Sequence, residues 1–475
     1  MALTGLEIFK LLPKTNCKKC GMPTCLAFAM SLAQKRAKLE DCPHVSEEAK
    51  QKLAAAAAPP MRKIVFGRKD LQLTVGQETV MFRHEEKFYN PTVLAVTISD
   101  KLSGNDLSSR IKAINSLQFE RVGTKIGVRA IAVTNDSGSP DVFAQVCAQA
   151  AKQACPEPGR GGWSRERRAN NSPADSSTSL GTSLALILVT ESPQAASAAL
   201  KQIKDAAGTP LLAGATAKNV EEMAKIAKEN GCPLVAKAES IEALADLSEK
   251  IKAAGVDDIV LCLETASLRE KLYNMTRMRV LSLKKAFRPL GYPTVSFVLG
   301  GSPEQQTAEA CSLICKYSSI VVVGTIEPYA ILPMLTCVMN IFTDPQKPVQ
   351  VEPKVYAIGE PGENSPLMFT TNFSLTYYTV VSDVEASRVP SYILVVDTEG
   401  TSVLTAYSGD KLNEKTVADA MAKDNVASLV KHRKLIIPGY VAVMSGKLEE
   451  ATSWEVMVGP RESAMLPKYL KEVWK

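Results

Sequence analysis

Eight short apolar runs recur between residues 93 and 325, and most of them precede an amphipathic stretch of helical period. This rhythm constrains the fold more than any other feature, because eight strand and helix units can close into a parallel barrel of about 250 residues. The sequence therefore predicts an α/β protein whose residues 91–325 form a central TIM (β/α)8 barrel. The runs are VLAVTIS, GVRAIAVT, LALILVT, PLLAGAT, PLVAKA, DIVLCLE, PTVSFVL and SIVVVGT.

A barrel of this kind binds ligands or partners at the carboxyl ends of its strands. We expect those contacts near hydroxyl side chains that close the runs, namely Ser99, Thr134, Thr190, Thr216 and Thr325. Residues 155–183 interrupt the rhythm, because they are rich in Gly, Ser, Pro and Arg and show neither a helical nor a strand period. This irregular insertion could be a partner-binding loop, a disordered insertion or an error in the reading frame.

Three further regions flank the barrel. Residues 1–58 form a cysteine-rich module that ends in the helix-like AKQKLAAAAAPP, and residues 59–90 form a linker with a hairpin built from KIVFG and TVMFR. Residues 326–475 alternate apolar runs with helix-like stretches, which predicts a doubly wound sheet of the Rossmann-like or flavodoxin-like type. Its apolar runs are LMFTTN, SYILVVDT, TSVLTA, KLIIPG, YVAVMSG and WEVMVG.

Four cysteines with the spacing Cys-x2-Cys-x4-Cys-x16-Cys are the strongest chemical signal: Cys17, Cys20, Cys25 and Cys42. A tight turn, a helix that starts at the third cysteine and a return to the fourth predict four thiolates around one metal centre. Zinc is the competing ligand, but zinc modules usually show two Cys-x2-Cys knuckles, so the spacing favours a [4Fe-4S] cluster. A disulfide is disfavoured, since the cysteine count is 11 and no secretory segment precedes them.

The other cysteines lie mostly in apolar surroundings, where cysteine acts as a small hydrophobe. Although two of them share a helix face, two ligands do not make a metal site. These seven are Cys147, Cys155, Cys232, Cys262, Cys311, Cys315 and Cys337.

Charge and composition exclude several function classes. The net charge of +6 comes from interspersed residues, which argues against nucleic-acid binding. No stretch of 18 apolar residues and no secretory segment occurs, so we expect a cytoplasmic protein without a membrane partner. With only His44, His84 and His432, the chain cannot build a multi-histidine metal site, and hydrolase chemistry has little support.

The run TTNFSLTYY, residues 370–378, places hydroxyl and amide side chains at a strand-to-helix junction. It could form a hydrogen-bonding rim for a large polar ligand, or it could be an ordinary helix N-cap. The residues alone favour the N-cap.

Taken together, these segments resemble the large (gamma) subunit of the corrinoid iron-sulfur protein of the acetyl-CoA (Wood-Ljungdahl) pathway, over nearly the whole chain. The runs that carry the resemblance are LTGLEIFKLLP with the cysteine motif, FRHEEKFYN, NSPLMFTTNFSLTYY, PSYILVVDTEGTSVLTAY, IIPGYVAV and WEVMVGPRE. The resemblance implies a [4Fe-4S] cluster on the four cysteines named above, a TIM barrel, and a C-terminal domain that binds a corrinoid.

By the same resemblance, we expect corrinoid contacts in the segments NIFTDPQ, TTNFS, DTEGTS and IIPG. The sequence lacks the Asp-x-His-x-x-Gly fingerprint that supplies a lower ligand to cobalt, which implies a base-off corrinoid. The expected contacts are Asn340, Thr343, Gln346, Thr370, Thr371, Asn372, Phe373, Ser374, Gly400, Ser402, Ile437, Pro438 and Gly439.

The implied function is that of a methyl carrier in a methyltransferase system, and no catalytic residue is predicted. The cobalt would accept a methyl group from methyltetrahydrofolate through a methyltransferase and donate it to CO dehydrogenase/acetyl-CoA synthase, while the cluster reactivates Co(II) to Co(I). The small subunit would complete a heterodimer. Alternatives are a barrel methyltransferase that binds a pterin, using acidic residues such as Asp100 and Glu264, and an Fe-S electron-transfer or zinc-bearing scaffold protein.

Overall fold

The computed structural model describes residues 5–33, 37, 39–46, 49, 59–68, 71–154, 184–204, 208–346 and 348–474. The chain divides into two compact units. Unit 1 comprises residues 1–117, 127–158 and 181–342, and unit 2 comprises residues 118–126, 159–180 and 343–475. The predicted irregular insertion, residues 155–183, and residues 50–58 of the helix-like run lie outside the described residues.

Unit 1 begins with two helices that pack together, α1 (Gly5–Leu11) and α2 (Cys25–Ala33). An antiparallel hairpin follows, formed by β1 (Lys63–Arg68) and β2 (Leu71–Gly76). The second strand is LQLTVG and not the expected TVMFR, because Leu71, Leu73 and Val75 alternate onto the buried face of the hairpin.

Eight parallel strands of unit 1 form a nearly closed barrel, which confirms the predicted barrel architecture. The strand order is β10-β9-β8-β7-β6-β3-β12-β11, and the backbone N–H of Leu261 in β10 donates to the carbonyl of Pro293, just before β11, at 2.8 Å. A short hairpin, β4 (Gln118–Arg121) and β5 (Thr124–Gly127), interrupts the series. The barrel strands are β3 (Val93–Ser99), β6 (Ala130–Thr134), β7 (Ala185–Val189), β8 (Leu211–Ala215), β9 (Leu234–Ala238), β10 (Ile259–Leu263), β11 (Val295–Val298) and β12 (Ile320–Val323).

Each barrel strand is followed by a helix, and several helices begin with a serine N-cap and a proline, as Ser139, Ser192 and Ser302 show. The helices are α3 (Gly104–Asn115), α4 (Pro140–Gln153), α5 (Pro193–Ile203), α6 (Val220–Asn230), α7 (Ile241–Ala253), α8 (Leu268–Leu283), α9 (Pro303–Cys315) and α10 (Pro328–Phe342). Helix α10 follows the last strand, so unit 1 extends to Phe342, whereas the sequence placed a boundary after residue 325.

The hairpin β1–β2 closes the amino end of the barrel. Its inward side chains, including Ile64 and Phe66, are buried in one cluster with the inner faces of the barrel strands. Gly67 exchanges two backbone hydrogen bonds, of 2.7 and 3.0 Å, with Thr209, which precedes β8. The N–H of Arg62 donates to the carbonyl of Gly291, before β11, at 2.8 Å.

Unit 2 contains a five-stranded sheet with the order β13-β15-β14-β16-β17, in which only the edge strand β13 is antiparallel. Buried apolar side chains cover both faces of this sheet. The strands are β13 (Val355–Ile358), β14 (Leu367–Thr371), β15 (Ser391–Val396), β16 (Lys434–Ile437) and β17 (Glu455–Val458). The helices are α11 (Ser374–Ser387), α12 (Val403–Ser408), α13 (Glu414–Lys423), α14 (Ser445–Thr452) and α15 (Leu466–Val473).

Two apolar runs of the C-terminal region are helical. TSVLTA contributes to α12, and YVAVMSG forms the 3-10 helix Gly439–Met444 and the start of α14. Both follow the carboxyl end of a strand, so they cover the sheet instead of extending it. No helix among the described residues combines the length and the apolar character that a membrane crossing requires.

Candidate functional site

The main candidate site is a cavity of about 330 Å³ at the carboxyl ends of β14 and β16 in unit 2. After β14 the chain passes to β15 on one side, and β16 then pairs with the other side of β14. Loops therefore diverge at this point of the sheet, which is where open α/β sheets hold their ligands. The apolar lining includes Leu375, Val380, Val403, Leu404, Ile436, Ile437, Pro438, Pro460 and Leu466.

Large apolar side chains stand exposed at the cavity. Leu375, Leu404 and Tyr440 line it and are 54%, 47% and 41% exposed. Because single domains rarely leave contiguous apolar surface in water, such a rim marks a place where an apolar ligand or a partner surface binds.

One buried hydroxyl group lines the same cavity. Thr370, the penultimate residue of β14, is 1% exposed, and its Oγ1 has no hydrogen-bond partner among the described residues. The neighbouring Thr371 also has an Oγ1 without a partner among the described residues, but it does not line the cavity. A buried hydroxyl without a partner costs free energy, so Thr370 offers a hydrogen bond to whatever fills the cavity.

The loops after β16 and β17 approach each other too closely for a side chain. The N–H of Gly439 donates to the carbonyl of Pro460 at 3.1 Å, and that of Gly459 donates to Ile437 at 2.9 Å. A Cβ on Gly439 would lie 2.6 Å from the carbonyl oxygen of Gly459. Gly439 thus shapes the cavity wall through the backbone.

Asn372 holds the loop after β15 in place. It is fully buried, and its Oδ1 accepts hydrogen bonds from Thr398 N at 3.0 Å and Gly400 N at 2.9 Å. Its Nδ2 donates to Asp397 at 2.9 Å and to Gln350 at 3.3 Å. With both polar atoms occupied, Asn372 positions the loops beside the cavity and does not line it.

Of the expected corrinoid contacts, Thr370, Ser402, Ile437 and Pro438 line the cavity. Phe373 and Ser374 continue the backbone past β14 and pair with residues 349 and 350. Asn340 lies near the end of α10 in unit 1, while Thr343 and Gln346 follow in unit 2. Expected contacts that do not line the cavity are Asn340, Thr343, Gln346, Thr371, Asn372, Phe373, Ser374, Gly400 and Gly439.

The loop Gly459–Pro460–Arg461–Glu462 lines the cavity, and the sequence reasoning assigned it no contact. The sequence feature that could have revealed this loop is the polar turn GPRE, which directly follows the apolar run WEVMV. The carboxyl ends of parallel strands meet at one edge of the sheet, so a turn after such a run lies near the other strand ends. Glu462 accepts a hydrogen bond from the hydroxyl of Tyr440, and this bond raises the pKa of Tyr440.

The single histidine of unit 2 in the sequence, His432, lies elsewhere. The backbone N–H of Lys434 donates to its Nδ1 at 3.0 Å, so Nε2 carries the proton and donates to the carbonyl of Ser365 at 2.9 Å. The ring also makes an edge contact with Trp474, at 4.6 Å between centroids. Since both nitrogens are occupied, His432 is unavailable as a metal ligand.

The barrel opens a second cavity, of about 490 Å³, at the carboxyl ends of its strands. Lys237 binds Glu191 at 2.8 Å and Glu264 at 3.1 Å across it. These two hydrogen bonds raise the pKa of Lys237 even though burial acts in the opposite direction. Asn135 donates to Thr190 at 2.9 Å, and its Oδ1 has no partner among the described residues.

Of the five expected strand-end residues, Thr134 and Thr190 line the barrel cavity. The carboxylates named for a pterin site already have partners in the chain. Asp100 accepts from the backbone N–H groups of Asp136 at 2.9 Å and Ser137 at 2.7 Å, while Glu264 binds Lys237.

The N-terminal cysteines lie around the pair α1 and α2. Cys25 and Cys42 are buried in one apolar cluster, Cys20 packs against it and Cys17 is exposed. The N–H of Asn16 donates to Cys25 Sγ at 3.4 Å, and a hydrogen bond from the Lys19 backbone lowers the pKa of Cys17.

The four thiols fit an iron-sulfur cluster by donor type, and N–H groups directed at two of them fit a thiolate-bound cluster. The described residues contain no group of three or more Cys, His, Asp or Glu side chains close enough to hold a metal ion. Cys17 is exposed, and positive φ values at Lys14, Asn16 and Lys18 shape the segment around it. The four-cysteine metal site stays a prediction.

Comparisons with known proteins match both the N-terminal cysteine region and the rest of the chain. A family model described as "CO dehydrogenase/acetyl-CoA synthase delta subunit" matches residues 63–470, and one described as "Putative Fe-S cluster" matches residues 12–44. Among solved structures, dihydropteroate synthase from Thermus thermophilus covers 57% of this chain and 96% of its own at 13% identity and a TM-score of 0.36, a distance at which it says nothing about ligands.

Curated relatives match over nearly their whole length. The corrinoid/iron-sulfur protein large subunit of Moorella thermoacetica is 42% identical over 98% of this chain and 97% of its own. The acetyl-CoA decarbonylase/synthase complex subunit gamma of Methanothermobacter thermautotrophicus is 36% identical over 100% of this chain and 99% of its own, and that of Methanopyrus kandleri is 33% identical over 99% and 98%. The chain therefore belongs to the family of corrinoid/iron-sulfur protein large subunits.

Proposed function

We propose that the chain is a methyl carrier that holds a corrinoid at the unit 2 cavity, accepts methyl groups from methyltetrahydrofolate through a methyltransferase and delivers them to acetyl-CoA synthase. When bound, a base-off corrinoid would supply the cobalt for methyl transfer, and a [4Fe-4S] cluster on Cys17, Cys20, Cys25 and Cys42 would supply the electron that reactivates it. The four parallel strands of unit 2 follow the order β15-β14-β16-β17, which matches the first four strands of the flavodoxin-like order 2-1-3-4-5 and supports this assignment.

The cavity with its apolar rim and the unpartnered Thr370 hydroxyl is the observation that carries the proposal. A corrinoid combines a broad apolar ring with peripheral carboxamides. The rim side chains Leu375 and Leu404 would cover part of the ring and exclude water, and Thr370 would bind a carboxamide. Ser402 lines the cavity and would contact the nucleotide tail.

The histidine of unit 2 supports a corrinoid whose cobalt would have no histidine ligand from this unit. Both nitrogens of His432 are engaged with backbone groups, and it does not line the cavity. The remaining two histidines of the sequence, His44 and His84, belong to unit 1.

The proposed partners are a small subunit, the methyltransferase and CO dehydrogenase/acetyl-CoA synthase. The names of the relatives support this, since one is a large subunit and two are subunits of an acetyl-CoA decarbonylase/synthase complex. A small subunit would cover the exposed apolar rim and shield the corrinoid from solvent.

The first test is the iron, cobalt and zinc content of anaerobically purified protein, co-expressed with its small subunit, together with its visible spectrum. About four irons and one cobalt per chain, with a spectrum that changes on reduction, would support the proposal. Iron without cobalt would leave an electron-transfer protein, and zinc alone would contradict both cofactor assignments.

A matched pair of variants tests the cavity. Thr370→Val removes the hydroxyl that lines the cavity, and we expect corrinoid affinity to fall about tenfold, the loss typical of one hydrogen bond. Thr371→Val makes the same change on the opposite face and should leave corrinoid affinity unchanged. Corrinoid affinity is measured by titrating the protein with corrinoid. Equal losses of affinity in the two variants would place the corrinoid elsewhere.

A further inference from the structure

Three thiols outside the N-terminal module meet between two neighbouring helices of unit 1. Cys311 and Cys315 lie one turn apart on α9, and Cys337 lies on α10, which packs against α9. The Sγ atoms of Cys315 and Cys337 are 3.7 Å apart, and Cys337 also lies 4.0 Å from the carbonyl oxygen of Cys311. Cys337 therefore contacts both cysteines of α9.

This group differs from the other cysteines of unit 1. Cys147, Cys232 and Cys262 are buried as expected, and burial raises the pKa of Cys232 to about 11 and that of Cys262 to about 12. Cys311 and Cys337 are half-buried and Cys315 is exposed, so the expectation that these cysteines act as buried hydrophobic residues is wrong for Cys315.

The three thiols are also unequal in acidity. A hydrogen bond from Cys337 lowers the pKa of Cys311, and the same bond raises the pKa of Cys337. Burial raises the pKa of Cys315 to about 11. Cys311 is accordingly the first of the three to ionise, and the thiolate is the form of cysteine that reacts with oxidants.

We propose that this group is a redox-active site in which Cys337 forms a reversible disulfide with a cysteine of α9 when the protein meets a hydroperoxide. Metal binding does not compete, because these thiols are not among any group of described side chains able to hold a metal ion. Disulfides in a reducing compartment are typically transient and redox-sensing.

The chemistry requires a hydroperoxide as the oxidant. The Cys311 thiolate attacks one peroxide oxygen, so that an S–O bond forms, the O–O bond breaks and the leaving oxygen takes a proton and departs. The Cys337 sulfur then attacks the Cys311 sulfur, so that the disulfide forms, the S–O bond breaks and water leaves with the Cys337 proton. Two thiols lose two electrons and the peroxide gains them.

Cys315 can take part in a thiol-disulfide exchange with this bridge. Because its sulfur lies 3.7 Å from that of Cys337, its thiolate can attack Cys337 and release Cys311, which moves the disulfide along α9. Either form links α9 to α10, the last helix of unit 1. Exposure of Cys315 gives a cellular reductant access to the bridge.

The test treats the complete, cofactor-loaded protein with hydrogen peroxide, alkylates the remaining thiols and maps peptides by mass spectrometry. We expect a loss of two alkylatable thiols in the region of residues 311–337 and a crosslinked peptide pair, both reversed by dithiothreitol. Cys232 and Cys262 serve as internal controls that should stay reduced. Crosslinks within residues 17–42 are scored separately.

Three variants assign the roles, with circular dichroism as a check that each folds. Cys337→Ser should abolish the crosslink, whereas Cys315→Ser should retain it. Cys311→Ser should also retain it but slow its formation by about tenfold or more, because the attacking thiolate must then come from Cys315, whose pKa is raised by burial. A crosslink that survives in Cys337→Ser, or wild-type thiols that all remain alkylatable, would overturn the proposal.

Discussion

The barrel and the C-terminal sheet each open a cavity at the carboxyl ends of parallel strands, yet the walls of the two cavities differ. The barrel cavity is the larger, at about 490 Å³ against about 330 Å³, and three of its charged side chains bind one another. Lys237 joins Glu191 and Glu264 there. The C-terminal cavity is lined mainly by apolar side chains, and two of them at its rim, Leu375 and Leu404, remain exposed.

Both cavities contain one buried oxygen without a partner among the described residues, Asn135 Oδ1 in the barrel and Thr370 Oγ1 in the sheet. The difference therefore lies in what surrounds that atom. Charges that satisfy one another need no ligand, whereas exposed apolar side chains lower the free energy when something covers them. Volume alone would favour the barrel cavity as the ligand site, whereas the side chains that line the two cavities favour the one in the C-terminal sheet.

The largest expected effect concerns the backbone of the C-terminal cavity. Gly439→Val would place a side chain 2.6 Å from the carbonyl oxygen of Gly459 and 2.8 Å from the N–H of Arg461. We expect unit 2 to lose about 3 kcal/mol of unfolding free energy, because backbone must move to make room. Tryptophan fluorescence measures this, since Trp454 and Trp474 lie in unit 2 and the described residues of unit 1 contain none.

Gly362, also in unit 2, is the matched control, because a Cβ there would meet no atom within 4 Å. Gly362→Val should change the unfolding midpoint by less than about 2 °C. If Gly439→Val changed the stability of unit 2 as little as the control does, the close approach of the two loops would not shape the cavity.

The next largest effect compares two amide side chains, Asn372 in unit 2 and Asn135 in the barrel. Asn372→Asp replaces the donor to Asp397 and Gln350 with an acceptor, at a cost of about 2 kcal/mol for two lost hydrogen bonds and a buried like-charge contact. The new carboxyl has its pKa raised by burial and by Asp397, so the deficit should shrink as pH falls through that raised pKa. Unfolding measured from neutral to acid pH tests the sign.

Asn135→Asp is the counterpart in the barrel, where the amide donates only to Thr190. We expect a loss below about 1 kcal/mol. A larger loss of unfolding free energy for Asn135→Asp than for Asn372→Asp would reverse the comparison. It would mean that the amide in the barrel cavity stabilises its surroundings more than the amide in unit 2 does.

The smallest effect concerns the ion pairs of the barrel. Lys237→Met should cost about 1 kcal/mol, since Glu191 and Glu264 are 59% and 50% exposed and remain hydrated without their partner. The folded pKa of Lys237 is raised, so its stabilising contribution is complete below the unfolded pKa and disappears as pH rises through the folded one. The difference between wild type and variant should therefore persist from neutral pH up to strong alkali and disappear there, and corrinoid binding should not change.

Sequence reasoning found the barrel because parallel strands are buried on both faces and appear as continuous apolar runs. It misplaced the second strand of the hairpin, since TVMFR alternates as well as LQLTVG does, and only packing under the barrel distinguishes them. TSVLTA and YVAVMSG were ambiguous for a similar reason, because short apolar runs suit a strand or a buried helix equally well.

The site was predictable in part. Thr370, Ile437 and Pro438 stand at the ends of apolar runs, where a parallel sheet presents its loops. The loop at Arg461 was missed because its approach to β16 depends on strand order, which no local pattern encodes. The contact of Cys337 with Cys315 likewise depends on how α9 packs against α10.

The hairpin under the barrel has a consequence for how the chain is made. Arg62 lies beside β1 and binds Asp258, a residue 196 positions later in the chain, at 2.8 Å. Ile64 and Phe66 must therefore leave the ribosome long before the strands that bury them exist, and contacts of such separation form slowly. We therefore expect an interval during synthesis in which these apolar side chains are exposed to water, and the barrel can close over them only after its last strands have been made.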